Sequence, residues 1–287
     1  ESLKPSRFDY SAPTTVDEAV ALISEKGPDA KILAGGQSLV PLLNFRLARP
    51  ESLIDINGVD ELDYVSANGS MVIGGLTRLT TLEESNSTNG LMAKALPHIG
   101  HRAIRNRGTI GGSLAHNDPA AELPAVLMVL NAEVTATSST GERTMTVSEL
   151  VGERFFETTL DDSEMITEVQ VPAAGVGTRY GFAEFSRRHG DFAIAGVAIA
   201  ITVNGSTVES AAIGVFGGAH AVRLVGAEAA LVGCEFADAA FAMAGETAAA
   251  EFPTTSDIHG DADYRRHLIG VLTQRALRES TDKEVGV

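Results

Sequence analysis

One cysteine, Cys234, stands in the 287 residues. An internal disulfide is therefore excluded, and so is any CxxC-type zinc or iron–sulfur ligand set within the chain. A redox metal serving this protein has to sit on another polypeptide. Basic residues are also scarce, with 22 Lys and Arg against 38 Asp and Glu and a formal net charge of −16. Nucleic acid is bound through a basic face and counterion release, so this balance argues against such a partner, and an anionic ligand has to be held by local dipoles. No apolar run approaches the roughly twenty residues of a membrane span. With 44% hydrophobic and 21% charged residues, the composition predicts a soluble globular protein. The segment "ESLKPSRFDYSAP" has neither a basic n-region nor an apolar h-region, so no signal peptide is expected and the expected location is cytoplasmic. Internal repeats are absent. There is no GxGxxG after a strand-like run and no GxxxxGK[ST], so neither a Rossmann site nor a P-loop is supported. No Ser-His-Asp or Cys-His arrangement points to nucleophilic catalysis.

What is present is a chain long enough for two modest domains. In "TTVDEAVALISEKG", Thr15 stands three residues before Glu18 in a capping-box spacing, Val16, Ala19, Val20 and Ile23 share a helical face, and Gly27 is a stop. "AKILAGG", "SLIDI" and "MVIGG" read as strands, and "GLMAKALPHIG" as a helix. Pro119 is placed in the first turn of a second helix whose apolar body runs from Ala121 to Leu130, followed by the strand "AEVTAT". After the strand "EMITEVQVP", the small-residue stretch Pro172 to Gly177 reads as an inter-domain linker. Beyond it, "FAIAGVAIAITV" and "TVESAAIGVF" flank Asn204-Gly205, a strong hairpin signal. Three helical patterns close the chain, the last placing Tyr264, Leu268, Leu272 and Leu277 near one face. The predicted class is α+β, with residues 1–174 as one domain of two lobes dividing near 57–60, and residues 175–287 as a smaller domain of antiparallel sheet and helices.

Two stretches carry paired glycines between an apolar residue and a short polar one: "KILAGGQSL" at 31–39 and "RGTIGGSLAHND" at 107–118. Successive residues free to take positive φ turn their N–H groups inward as an anion-binding nest, and the missing Cβ atoms admit a phosphate to the backbone. The second pair is expected in a loop ahead of a helix. Arg102, Arg105 and Arg107 form a local basic cluster that can neutralise phosphate or dock a partner, or be simply solvated. Asp118 and Glu122 sit where they favour a helix N-terminus.

The motifs "AGGQSL" at 34–39, "RNRGTIGGSLAHNDPAAELP" at 105–124 and "SRRHGDFA" at 186–193 together resemble the FAD-binding medium subunit of molybdenum hydroxylases, the xanthine dehydrogenase and carbon monoxide dehydrogenase group. The resemblance runs from Phe8 to about Arg278. It implies a two-lobed FAD-binding domain and a C-terminal flavoprotein domain, with FAD held non-covalently. Ile32, Leu33, Ala34, Gly35, Gly36, Gln37, Ser38 and Leu39 would wrap the pyrophosphate from one side, and Gly108, Thr109, Ile110, Gly111, Gly112, Ser113 and Leu114 from the other. Ala115, His116, Asp118 and Glu122 fall where relatives contact the adenosine or ribityl portions, Ile99 and Ile166 where they flank the flavin, and Asp191 and Phe192 beside its reactive edge. Phe192 there either gates the flavin or packs between the domains.

The resemblance also implies an electron-transfer subunit with no catalytic side chain of its own. Partners would be a large subunit with the molybdenum cofactor and a small subunit with [2Fe-2S] clusters, assembled as a dimer of heterotrimers that is cytoplasmic or associated with the inner face of the membrane, and delivering electrons to an external acceptor. Gln37 stands where carbon monoxide dehydrogenases of the best-known type carry His, and Glu184 in "FAEF" lies in a segment where several relatives carry Lys. The different expectation is a free-standing FAD oxidase or dehydrogenase with a substrate base over the flavin; a scaffold without cofactor is disfavoured by the intact glycine motifs.

Overall fold

The computed structural model describes residues 4–281. The first lobe contains β1 (Asp9–Ser11), α1 (Val16–Lys26), β2 (Ala30–Leu33), α2 (Leu39–Asn44) and β3 (Ser52–Asp55). Its three strands run parallel in the order β1-β3-β2. Parallel neighbours need a crossover rather than a hairpin, and between β2 and β3 that crossover contains α2. Thr15 caps α1 as expected, its hydroxyl accepting from Glu18 N at 3.2 Å. The Glu18 carboxylate reaches back one residue further, to Thr14 N at 2.8 Å. Ala19, Val20 and Ile23 face the core of this lobe, against Ile54 and Ile56.

The second lobe holds β4 (Val65–Asn68), β5 (Ser70–Gly74), α3 (Leu79–Glu84), α4 (Gly90–Ala95), α5 (Arg102–Arg105), α6 (Ile110–His116), α7 (Glu122–Val129), β6 (Glu133–Ser138), β7 (Gly141–Thr146), α8 (Val147–Leu150) and β8 (Met165–Val171). Its five strands are antiparallel in the order β4-β5-β8-β6-β7. All eight residues of α7 are buried, which is why its sequence is apolar all round rather than in a stripe. Pro119 does not enter this helix. It lies in the preceding turn, where its carbonyl accepts from Gly217 N at 2.7 Å and so ties the turn to the C-terminal region.

That region comprises β9 (Thr178–Ser186), β10 (Ala193–Asn204), β11 (Thr207–Phe216), β12 (Val222–Arg223), α9 (Val225–Leu231), α10 (Asp238–Glu251) and α11 (Ala262–Glu279). The sheet is antiparallel, ordered β12-β11-β10-β9. Asn204 pairs with Thr207, so the two turn residues are Gly205, at φ 62, and Ser206, with glycine in the first turn position instead of the second. In α11 the buried face is Arg265, Ile269, Leu272, Thr273, Ala276 and Leu277. Tyr264, expected on it, is 40% exposed, because the apolar stripe starts one residue later at the stem of a buried arginine.

Strand β10 is apolar on both faces. Ala195, Val197, Ile199 and Ile201 point into the core beneath α9, α10 and α11, while Ala193 and Ala198 belong to the core built around α7. The same core takes Tyr180 and Phe182 from β9 and Phe216 from β11. The second lobe and the C-terminal sheet thus share one continuous apolar interior. Among the described residues no helix is long and apolar enough to cross a membrane.

Candidate functional site

The two glycine motifs meet. Ile32 and Leu33 end β2, Ala34 to Ser38 form the following turn, and Leu39 opens α2. Gly108 and Thr109 form the turn before α6, which contains Ile110 to His116. A Cβ placed on Gly35 would stand 2.9 Å from Gly108 Cα and closer still to the Arg107 carbonyl oxygen, and one on Gly112 would stand 3.8 Å from Ala34 Cβ and 2.7 Å from Thr109 Oγ1. Real Cβ atoms do not approach backbone so closely, so glycine is required for the two turns to lie against each other.

The paired glycines do not form two nests. Gly36 alone among the four takes positive φ, at 75. The second pair lies inside α6 rather than in a loop, and the N–H groups there are already bonded: Ile110 N to Thr77 O at 3.2 Å, Gly111 N to Gly75 O at 3.0 Å and Gly112 N to the capping Thr109 hydroxyl at 3.1 Å. Gly111 is glycine because a Cβ there would meet Gly75 O at 2.6 Å. Ile110 is wholly buried and Ile166 is 5% exposed, so both serve the core behind the site. Around the first motif the situation is reversed. Among the described residues no protein acceptor takes the backbone N–H groups of Gly35, Gly36, Gln37, Ser38 or Leu39, and Gln37 turns its amide back onto Gly35 O at 3.2 Å. The first turn thus presents free donors and the second braces it.

A relay of polar bonds fixes this junction. Asn57 donates to Ala34 O at 2.8 Å and to Asp55 Oδ1 at 2.6 Å, Arg78 donates to Asn57 Oδ1 at 2.6 Å, and its other nitrogen donates to Arg107 O at 2.5 Å. Neither Arg78 nor Arg107 forms an ion pair among the described residues. Burial and the neighbouring Arg107 lower the Arg78 pKa, with Asp63 and Asp55 opposing. Two guanidinium groups therefore supply local positive potential in an acidic protein, one of them, Arg107, from the basic cluster read in the sequence and the other, Arg78, from outside it. Asn57, Thr77 and Arg78 were not singled out from sequence. The legible signal was a third glycine pair, Gly74-Gly75, at the end of the strand-like "MVIGG".

Of the expected basic cluster only Arg107 belongs to the junction. Arg105 is 7% exposed and is fixed by a two-pronged pair with Glu83 at 2.8 and 2.9 Å and by bonds to the carbonyls of Ile99 and Gly100. Arg102 is exposed and paired with Glu84.

Ala115 is exposed and His116 half-buried at the end of α6, with the His116 ring 5.0 Å from that of Phe156. Burial lowers the His116 pKa, against the pull of Asp118. Asp118 caps its own turn by accepting from Ala120 N at 2.8 Å. Glu122, first residue of α7, is 6% exposed, and burial raises its pKa to about 7. Burial first and then the charge of Glu122 raise the pKa of Glu184, on β9, to about 8. Ile99 is half-buried, following a short 3-10 turn. The ring of His98, beside it, lies 5.1 Å from that of Phe182 at a tilt of 49°. Asp191 and Phe192 lie in the loop between β9 and β10, and Phe192 is 71% exposed, so it does not pack between the domains within this chain. Cavities of about 500 Å3 at Val151–Arg154 with Glu157–Thr159, and of about 530 Å3 at Lys4–Asp9 with Glu51, include no residue of either glycine motif.

The arrangement suits a diphosphate-containing cofactor lying along the first turn, with free amides and guanidinium groups for the phosphates. Comparison with known proteins agrees. Residues 6–174 match the FAD binding domain in molybdopterin dehydrogenase, and residues 180–280 match the CO dehydrogenase flavoprotein C-terminal domain. The 6-hydroxypseudooxynicotine dehydrogenase complex subunit alpha of Paenarthrobacter nicotinovorans is 42% identical over 97% of this chain and 96% of its own. The structure of carbon monoxide dehydrogenase from Hydrogenophaga pseudoflava superposes with a TM-score of 0.93 at 37% identity, covering 96% of this chain and 98% of that one. Quinoline 2-oxidoreductase from Pseudomonas putida 86 superposes with a TM-score of 0.91 at 33% identity over the same shares.

Proposed function

Since the chain belongs to the FAD-binding medium subunits of the molybdenum hydroxylases, we propose that its FAD is gripped where the two glycine motifs meet, and that the subunit relays electrons between partner-borne clusters and an external acceptor. It is an oxidoreductase subunit and its cofactor is FAD. The redox chemistry is that of the flavin; the chain binds, orients and shields it.

The observation that carries this reading is the contact of Gly35 with Arg107 and Gly108 beneath a row of free amides. Gly36 to Leu39 donate to the phosphates, assisted by Arg78 and Arg107. Gly112, Ser113, Ala115 and His116 line the second side, with Ile110 and Gly111 bracing it from the core. Asp118 and Glu122 meet the hydroxyl-bearing portions, Ile99 and Ile166 stand behind the ring system, and Asp191 and Phe192 flank its reactive edge. Residues 1–174 and 175–287 are the two functional modules, the first dividing into lobes between Asp55 and Val65 where one sheet gives way to the next.

Names such as medium chain and complex subunit make the relatives parts of larger assemblies. For this chain we assign a large molybdenum subunit and a small [2Fe-2S] subunit in a cytoplasmic dimer of heterotrimers. Relatives named for a nicotine derivative, caffeine, glyceraldehyde and carbon monoxide give three substrate classes, nitrogen heteroaromatics, another small carbon compound and CO, with Gln37 weighing against the last. Native isolation tests the whole reading. Two further polypeptides and acid-releasable FAD are expected; a flavin-free complex, FMN, or a chain that oxidises substrate alone would overturn it.

A further inference from the structure

The loop between β9 and β10 carries Arg187 and Arg188 side by side, ahead of His189, Gly190, Asp191 and Phe192, in a chain of net charge −16. Both arginines are exposed, and neither forms an ion pair among the described residues. The backbone beneath them is held in place. The Arg188 carbonyl accepts from Asp191 N at 3.0 Å and from the Ser186 hydroxyl at 2.9 Å. Gly190 takes φ 85, and a Cβ on it would stand 2.6 Å from the His101 ring, so glycine lets the loop lie against that ring. The His189 ring centroid is 6.0 Å from that of His98 and 6.5 Å from that of His101.

Contacts carry this loop to the glycine junction. Arg105 fixes the segment facing it, donating to Ile99 O at 3.1 Å and to Gly100 O at 3.0 Å. From His101 the chain runs through α5, where Ile104 N donates to His101 O at 2.8 Å and Gly108 N to Ile104 O at 2.7 Å. The four residues of α5 rise about 6 Å, and Gly108 is the residue against which Gly35 rests. One helical turn therefore separates the arginine loop from the junction, a short span beside an extended dinucleotide. The acids around the loop are already engaged. Glu83 pairs with Arg105, Glu84 with Arg102 and Glu279 with Lys94, and burial raises Glu184, on β9, to about 8, which leaves it mostly protonated at neutral pH. Asp191 is the one carboxylate within the loop. Two guanidinium groups outweigh it, and His101 and His189 add charge whenever they take up a proton.

A patch of one sign beside a site raises the local concentration of ions of the other sign and speeds their arrival. Two neighbouring guanidinium groups suit one compact anion, whereas a protein partner needs a much broader face. We propose that Arg187 and Arg188 form a cationic mouth beside the flavin that draws in a small anionic electron acceptor. This rests on the FAD site assigned above and on the place of Asp191 and Phe192 at the flavin's reactive edge. Two molecules of a one-electron acceptor each take one electron from reduced FAD, whose protons pass to water.

The test compares two one-electron acceptors of opposite charge, ferricyanide and hexaammineruthenium(III), on the reduced native complex, with flavin absorbance followed by stopped flow as ionic strength rises. Reoxidation by ferricyanide is expected to slow with salt and reoxidation by the ruthenium complex to quicken. Arg187→Gln with Arg188→Gln should lower the ferricyanide rate about tenfold at low ionic strength and leave FAD content unchanged. Arg187→Lys with Arg188→Lys should keep the wild-type pattern, since the charge and not the guanidinium fork does the steering. A second readout needs no flavin. Hexacyanocobaltate(III), a redox-inert anion of the same shape, should shift the imidazole proton resonances of His101 and His189 in the flavin-free chain and leave them in place in the Gln variant. Salt-independent reoxidation by ferricyanide, equal rates in wild type and Gln variant, or resonances that do not move overturn the steering alone. So does a Gln variant that fails to join its partner subunits, which assigns the arginines to a subunit contact. A native complex without flavin overturns the site assignment and the steering with it.

Discussion

A Cβ on Gly35 would stand 2.9 Å from the Cα of Gly108, so the turn after β2 and the turn before α6 are in backbone contact. Gly35→Ala is expected to push the turns apart and weaken FAD binding by at least tenfold, with a modest loss of stability. Equilibrium titration of the purified variant measures this; unchanged affinity would show that the contact is incidental. Gly36→Ala acts differently. It places a side chain at φ 75 and should cost about 1 kcal/mol or somewhat more in strain.

Arg78 is expected to matter more for cofactor binding than for folding. Arg78→Ala removes the bonds to Asn57 and Arg107 O and one of two cations beside the free amides, and should weaken FAD by about 1.5–3 kcal/mol. Arg78→Lys should recover little, because one ammonium group cannot span both acceptors. Flavin retention after gel filtration distinguishes the variants.

Arg105→Ala should do the reverse. It strands Glu83, which is half-buried, and frees the carbonyls of Ile99 and Gly100, so a loss of about 3–5 kcal/mol in unfolding free energy is expected. Denaturant melts check this, with FAD affinity of the folded fraction nearly unchanged.

Phe192 is 71% exposed, which leaves little packing to lose. Phe192→Ala should change stability by less than about 0.5 kcal/mol while altering the rate at which the reduced flavin is reoxidised. Stopped-flow absorbance measures the second quantity, and an unaltered rate with every acceptor tried would remove Phe192 from the reactive edge.

Stability should also depend on pH through Glu184. Its folded pKa is raised to about 8 while the unfolded value stays near 4.3, so the folded chain holds the proton over a range where the unfolded chain has lost it. The sign of the linkage is that stability falls as pH rises from about 4 to about 8 and is level above. Glu184→Gln removes this penalty. Its advantage over wild type should be absent near pH 4 and reach on the order of 2–4 kcal/mol by pH 8.5, measured as a pH series of melts on the flavin-free chain.

Local elements were readable because their signals are local. Thr15 with Glu18 marks the start of α1, and alternation marks β6 and β8. The glycine motifs identified the cofactor because their spacing resembles a known family. Their mechanism was misread, since φ and close approach are not separable in sequence: Gly111 looks like a turn residue and is a helix residue pressed on Gly75. The relay from Ala34 through Asn57 and Arg78 to Arg107 joins residues from four separate segments, and no periodicity announces it.

The apolar interior that α7 shares with β10 and β11 decides how such chains can be recombined. A Cβ on Gly214 would meet Ala125 O and Val129 Cγ2 at 2.7 Å, so helix and sheet are fitted at the level of single atoms. A chimera of two relatives spliced at residues 172–177 would join cleanly in sequence and mismatch along this seam. Exchange of cofactor-binding halves between such subunits therefore requires α7 to travel with the sheet it touches, and substitutions on the two sides of the seam should be found changing together.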